Sequence, residues 1–374
     1  FFDLTDYLTW RATGSLARSI CTLTCKWTYL GHERRWDESY FREIGLEELA
    51  EEGFARIGTE VVDPGTPLGD GLSGQSAEDL GLLPGTPVAA GLIDAHAGGI
   101  GTVGAEGRVE DNLAYVFGTS SCTMTTTSQP VKVPGVWGPY YSAMVPGAWL
   151  NEGGQSAAGA AIDHLMTFHP AAAEARGQAE AVGQTLPEWL AAQAVETCSS
   201  PGEAAYLAGS ITVVPEFLGN RAPHANPHTG AVIAGLDMTA DIDSLVSLYI
   251  AGICGLGYGL RQIIEAQANC GAPVKTIVIS GGAGRSDLIR QLLADATGLE
   301  VAAPETEEPV LLGAAMLGAV AGKGFPDLAT AMGEMASISH RYEPCSAELR
   351  DWHDRKYRLF GKFQAVALEA AEQT

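Results

Sequence analysis

The stretch VKTIVISGGAGRSDLIRQLLADATGLEVAA, residues 274–303, decides the fold. Val274 to Ile279 is a short apolar run bounded by turn signals, which reads as a buried strand. Ser280-Gly281-Gly282-Ala283-Gly284 follows at once, then a helix through Ala296 and a second strand near Glu300 to Ala303. A strand, glycine turn, helix, strand unit is the building block of α/β domains. Glycine lets the backbone come close to a ligand, and the first turn of the next helix offers unpaired N–H groups and a positive dipole end to an anion. Such a turn suits a nucleotide, while a tight turn without any ligand is the equal alternative. No G-x-x-x-x-G-K-[ST] loop occurs.

Working outward, Asp241 to Asn269 reads as one long helix, capped at Asp241 or Asp243 and stopped by Gly271-Ala272-Pro273. Val310 to Ala321 supplies a small-residue helix, and Lys356 to Ala371 a polar one. Upstream, Leu113 to Phe117 is a strand that ends in Gly118-Thr119-Ser120-Ser121. Val88 to Ile93 reads as another, delivering Asp94 at its C-terminal edge, with a glycine-rich connection between the two and a domain boundary near Gly91. Thr22 to Leu49 is helical and aromatic-rich, and a turn-rich stretch from Asp63 to Pro87 follows it. Pro170 to Ala205, rich in Ala, Glu and Gln, is expected to be a helical surface insertion.

The 374 residues carry 22 Lys plus Arg against 45 Asp plus Glu, a formal charge of -23. A hydrophobic share of 46% excludes disorder as the dominant state. The acidic balance and the lack of a basic run argue against a sequence-independent grip on nucleic acid. A phosphorylated ligand can still bind through backbone amides. Seven cysteines, an odd number without a C-x-x-C pair, fit a reducing cytoplasm. Cys21 and Cys25 share a helix face, but no Cys/His pair follows at zinc-site spacing, so structural thiols and no metal-ligating set are expected. Ser244 to Leu260 is the most apolar uncharged stretch and reads as a packed core helix rather than a membrane span. Phe1 to Trp10 looks like the middle of a domain, so an N-terminal part is expected to be missing.

Candidate chemistry is scattered. Gly118-Thr119-Ser120-Ser121 could cradle a terminal phosphate with hydroxyls and amides; no G-x-S-x-G elbow surrounds its serines, so acyl-enzyme chemistry is disfavoured. Gly99-Ile100-Gly101-Thr102-Val103-Gly104 matches G-x-G-x-x-G in letters, but no acid stands in Cys122 to Thr127, and a glycine-rich packing segment is expected. Asp94 can accept a proton from an alcohol; a helix cap or turn is its ordinary alternative. His96 is a lesser candidate for a base, more often a hydrogen-bonded core residue. His224 and His228, in a Pro-rich loop, suggest ordinary loop hydrogen bonding.

These signals coincide in one family. Gly91-Leu92-Ile93-Asp94-Ala95-His96-Ala97-Gly98-Gly99, Gly118-Thr119-Ser120-Ser121-Cys122, Asn151-Glu152-Gly153-Gly154-Gln155-Ser156, Phe217-Leu218-Gly219-Asn220-Arg221-Ala222-Pro223 and Ser280-Gly281-Gly282-Ala283 together resemble the FGGY carbohydrate kinases. Cys21 to Tyr29 narrows this toward the ribulokinase-like (D-ribulokinase-type) branch, which phosphorylates ketopentoses. The resemblance implies an actin-like, ribonuclease H-like α/β fold with the site in an interdomain cleft. Residues 1–90 would be the C-terminal part of the sugar-binding first domain, and residues 91–374 a complete ATP-binding domain.

By the same resemblance Asp94 is the catalytic base and also meets the sugar, which Lys26 and Glu152 hold. Gly118 and Thr119 form a phosphate loop, and Gly281, Gly282, Ala283 and Ser286 bind the adenosine, though some relatives carry Asn where Ser286 stands. ATP and Mg²⁺ are the implied cofactors and a small-molecule sugar the partner, with no nucleic acid or membrane partner. The family's Asp-x-Gly-Thr loop does not precede Phe1, so weak or no activity is expected of the chain by itself. A non-catalytic nucleotide-binding module, or a kinase for another ketose or polyol such as xylulose, stays open, as does the oligomeric state, a homodimer included.

Overall fold

The computed structural model describes residues 1–105 and 107–373. At its centre lies a seven-stranded mixed sheet of β1 (Asn112–Phe117), β2 (Ser121–Thr127), β3 (Trp137–Tyr141), β4 (Trp149–Gln155), β5 (Thr276–Ser280), β6 (Glu300–Pro304) and β7 (Ile338–Tyr342). The strand order is β7-β6-β5-β1-β2-β4-β3. β6, β5 and β1 run parallel, and the flanking strands pair antiparallel. The helices that matter are α1 (Ile20–Trp27), α2 (Asp94–Val103), α3 (Gly159–Thr167), α4 (Ile242–Asn269), α5 (Asp287–Thr297), α6 (Pro309–Ala321) and α7 (Ala347–Ala371).

Both faces of the central strands are covered, which is why β1 reads as an unbroken apolar run. Leu113, Tyr115 and Phe117 face one core, shared with Ile277, Ile279 and the long α4. Ala114 faces a second core with Ile100, Val103, Met316 and Leu317 of α2 and α6. Strand geometry sends successive side chains to opposite faces, so this one segment seeds both. α4 is capped by Asp241, whose carboxylate accepts from the Ser244 amide at 2.9 Å. By length and composition α4 could cross a membrane, but its most apolar window is mostly buried in the core, as expected of a central packed helix.

The strand, glycine turn, helix, strand unit of residues 274–303 stands as β5, a short 3₁₀ turn at Gly282–Arg285, α5 and β6. Four other expectations are corrected. Val88 to Ile93 is not a strand: Ala89 makes one isolated bridge to Pro67, and Ala90 exchanges bonds with Gly65 and Thr66. Its partners are a turn-rich loop, which offers no ladder to extend, and Asp94 instead opens α2. The glycine-rich connection is α2 itself. A Cβ on Gly101 would lie 2.2 Å from the Pro309 carbonyl oxygen, and one on Gly313 1.9 Å from that of Ala97. The G-x-G-x-x-G letters therefore serve close packing of α2 on α6.

Pro170 to Ala205 is helical, over Ala172–Ala181, Leu186–Glu196 and a 3₁₀ segment from Pro201, yet it is no surface insertion. Trp189, Leu190, Ala194, Ala204 and Ala205 are buried in the α4 core. Alanine, which suits an exposed helix, is here the side chain small enough for helices to approach closely. Thr22 to Leu49 is not one helical run but three short helices, α1, Glu38–Glu43 and Glu47–Glu51. α1 stops where Thr28 takes a left-handed φ of 57°.

Candidate functional site

Two groups of residues stand out, and they sit on different parts of the fold. The first gathers at the C-terminal ends of β1 and β5. Gly281 has φ +94°, a conformation that L side chains rarely adopt, and a Cβ there would lie 2.6 Å from the Phe117 carbonyl oxygen. The β5 turn is thus pressed against the end of β1, where Gly118 and Thr119 begin the next turn. That second turn is held in place by α3: the Ala158 amide donates to the Thr119 carbonyl at 2.9 Å, and the Gly159 amide to that of Gly118 at 2.9 Å.

Beside this junction opens a cavity of about 710 Å³, within the range of small-molecule sites. Gly282 and Ser286 line it together with Phe117, Gly159, Tyr249 and Leu288. The Ser286 hydroxyl caps α5, accepting from the Ile289 amide at 3.5 Å. Ala283 lies in the same turn; its side chain is outside the described residues. Thr185, Glu188 and Ala191 also line the cavity, which the sequence reading missed because it took that segment for a surface insertion. A Thr185–Glu188 capping box is the signal that could have drawn attention to it.

The second group is polar. Asp94 is the first residue of α2; its side chain is exposed, with one carboxylate oxygen accepting from the Ala95 amide at 2.8 Å. Two residues on, His96 is 1% exposed and bridges three elements. Its Nδ1 lies 3.0 Å from the Ala143 carbonyl oxygen and 3.2 Å from Cys21 Sγ, and its Nε2 lies 3.3 Å from Glu152 Oε2. Burial would lower the imidazole, but its contacts with Cys21 and with the Glu152 carboxylate outweigh it and raise it above its ordinary value. Because burial keeps the Cys21 thiol protonated, Glu152 is the partner that holds the charge.

Burial likewise pushes the Glu152 carboxyl up, yet His96 and the exposed Lys26 bring it below its ordinary value. The Cys122 thiol donates to Glu152 Oε1 at 3.8 Å, and an Arg221 guanidinium N–H reaches the Ser121 carbonyl at 3.3 Å beside it. Lys26 and Glu152, distant in sequence, therefore meet through the electrostatics of one site, and α2 carries Asp94 at its near end. Asp94, Lys26 and Glu152 do not line the cavity on which Gly282 opens. His96 is a hydrogen-bonded core residue. The His224 and His228 amides donate within the loop to the Asn220 and Asn226 side chains, but the His224 imidazole reaches out of it, its Nε2 lying 3.2 Å from Gln364 Oε1 of α7.

Comparison with known proteins bears directly on this arrangement. The model of the FGGY family of carbohydrate kinases, C-terminal domain, matches residues 113–322. The FGGY carbohydrate kinase domain-containing protein of Xenopus laevis is 43% identical over 374 residues, covering 97% of this chain and 68% of that protein. The D-ribulokinase of Saccharomyces cerevisiae is 36% identical over 357 residues, covering 87% of this chain and 50% of that protein. Among solved structures, a ligand-bound xylulose kinase from Lactobacillus acidophilus superposes with a TM-score of 0.76 at 17% identity, over 100% of this chain and 69% of that one. The superposition shows the actin-like α/β fold that the sequence motifs implied.

Proposed function

Since this chain belongs to the FGGY family of carbohydrate kinases, and so to the phosphotransferases, we propose that it transfers the γ-phosphate of ATP to a hydroxyl of a ketopentose of the ribulose type. The observation that carries the reading is the junction of two glycine turns, at Gly118 and Gly281, on the rim of a cavity large enough for a nucleoside. Gly282 has open space where a side chain would stand, so a phosphate can approach the backbone there. The apolar walls formed by Phe117, Tyr249 and Leu288 suit a base, with Ser286 nearby for the ribose. Gly118 and Thr119 would face the phosphates, and Ala283 would contribute its backbone.

At the other end, Asp94 would take the proton of the attacking hydroxyl, and Lys26 and Glu152 would hold the sugar. An exposed carboxylate at a helix start, next to a charge-holding cluster, has the chemistry for that task. Mg²⁺, bound through the phosphates, would supply neutralisation of charge on the transferred group. The protein's own share is alignment and a low-dielectric setting. The 36% identity to a protein named D-ribulokinase favours ribulose over other ketoses. In this scheme residues 1–90 bring Lys26 and residues 91–374 bring the rest. All seven cysteines are free, which fits a reducing compartment such as the cytoplasm.

ADP release is the test, measured with a panel of ketoses and polyols, ATP and Mg²⁺, on this chain and on a form extended upstream to the length of its relatives. D-ribulose is expected to give the highest kcat/KM. Release with a different sugar would replace the substrate, and release with none, while ATP still binds, would replace the enzyme by a nucleotide-binding module.

A further inference from the structure

We propose that Cys21, Cys25 and His96 form a binding site for one zinc-class cation, separate from any magnesium that travels with the nucleotide. The spacing of the two cysteines places both on one face of α1, and the fold supplies from α2 the imidazole that no sequence motif announced. The two sulfurs and a ring nitrogen of His96 all lie within 4.8 Å of one another, with Cys21 Sγ and His96 Nδ1 at 3.2 Å. Zinc bonds of about 2.3 Å to sulfur and 2.0–2.1 Å to nitrogen put neighbouring ligand atoms of a tetrahedron about 3.5–3.8 Å apart. Small side-chain adjustments bring the three atoms to that spacing.

The donor set selects the metal. Two thiolates and an imidazole suit Zn²⁺ and reject Mg²⁺, which prefers oxygen. Among the described residues this is the one group of three or more such side chains that come together. Two thiolates also neutralise a dication, so the filled site carries no net charge into the interior. Burial fits as well. Cys21 and His96 are buried while Cys25 is half-buried, so a cation and a fourth, exchangeable ligand would enter from the Cys25 side.

A second observation points the same way. With metal on Nδ1, the other ring nitrogen of His96 faces Glu152 Oε2 at 3.3 Å, the carboxylate–histidine–metal relay that orients metal-bound histidines. Binding would replace the contact between Nδ1 and the Ala143 carbonyl. Two thiol protons, and the Nδ1 proton where present, pass to the buffer as the metal–sulfur and metal–nitrogen bonds form. None of this depends on the sugar assignment, since the readout below is metal content and not turnover.

The experiment loads the full chain with Zn²⁺, removes loose metal by dialysis and counts zinc per chain; Co²⁺ in place of zinc reports thiolate ligation by its charge-transfer absorption. One equivalent and a thiolate–cobalt band are expected. Cys25→Ser should bind zinc at least about 10-fold more weakly and lose intensity in that band, and Glu152→Gln should weaken binding by about 10–100-fold. Cys270→Ser, which removes an exposed thiol elsewhere, should change neither. Absence of the band in the unsubstituted chain overturns the site whatever the variants do, and so does equal zinc affinity in a Cys25→Ser protein with unchanged far-UV circular dichroism.

Discussion

Two histidines are hidden in this protein, and they are opposite in character. His96 is 1% exposed and His353 is 0% exposed. His96 has an acceptor at each ring nitrogen, the Ala143 carbonyl and the Glu152 carboxylate, and its contacts with Cys21 and Glu152 raise it above its ordinary value. His353, on α7, meets the Tyr258 hydroxyl at 2.9 Å through Nδ1, while its Nε2 has no partner among the described residues. Burial first, and then the nearby Arg261 cation, lower it to about 4. The difference teaches how the fold divides its labour. The flank that gathers His96, Lys26 and Glu152 is built to hold charge. On the flank of α4 and α7, burial and a neighbouring cation keep His353 neutral, and the charges that are present there are each held by partners, Arg261 by Asp354 and Lys356 by the Gly209 and Ile211 carbonyls.

The largest break in that contrast should come from the charged flank. Asp94→Asn removes the proposed base while keeping size and exposure, so kcat should fall about 10²- to 10⁴-fold, or ~3–5 kcal/mol of barrier. ATP affinity, a property of the other flank, should stay the same. On the form extended upstream, a steady-state assay beside an ATP titration separates the two, and an undiminished kcat would remove Asp94 from its role.

On the apolar flank the corresponding change is Gly281→Ala. Its φ of +94° and the 2.6 Å approach to the Phe117 carbonyl oxygen leave no place for a methyl group. Strain of that kind costs about 1–3 kcal/mol, so the urea midpoint should drop and ATP should bind more weakly. The pH behaviour of His96 should not move with it. A variant of unchanged stability that still binds ATP normally would mean that the two turns do not depend on each other.

How far the sequence reveals this division follows from distance along the chain. The β5–turn–α5–β6 unit was readable because its apolar run, glycines and helix are contiguous, as was the Asp241 cap of α4. The packing role of the glycines in α2 was also legible, once their lack of an acidic partner was noticed. Val88 to Ile93 misled because a short apolar run has the same letters whether or not a sheet edge is there to receive it. Pro170 to Ala205 misled because alanine serves exposed and tightly packed helices alike. In the site, the glycine turns are local and were found, whereas the cluster of Cys21, His96 and Glu152 is not. Its members are separated by 75 and 56 positions, and only the closing of the chain brings them together.

Titration sharpens the comparison further. For His96 the folded value lies above the unfolded 6.5, so its stabilisation is complete below 6.5 and is lost as pH rises through the folded value. For His353 the folded value of about 4 lies under the unfolded 6.5, so the folded state loses stability as pH falls from 6.5 toward 4. Each limb can be no steeper than about 1.4 kcal/mol per pH unit for one proton. A stability maximum near pH 6.5 follows, measurable by thermal melting across a buffer series. Glu152→Gln should flatten the alkaline limb, and His353→Gln the acidic one. An alkaline limb that survives Glu152→Gln would assign it to other groups.

The smallest expected effect isolates the cause on the apolar flank. Tyr258→Phe removes the hydroxyl that meets His353 and leaves the ring without a partner, at a cost of about 1 kcal/mol. The acidic limb should nevertheless keep its slope, because it is the buried position and the Arg261 cation, not the phenol, that hold the imidazole neutral. Arg261 is paired to Asp354 at 2.7 Å, a contact in which Tyr258 takes no part, so the surrounding charges are expected to stay as they are. Equilibrium unfolding of Tyr258→Phe and the unsubstituted chain at pH 5 and pH 6.5 decides the matter. A constant offset between the two proteins makes exclusion of charge a property of the packing, whereas an offset that vanishes at pH 5 would place it in that single hydrogen bond.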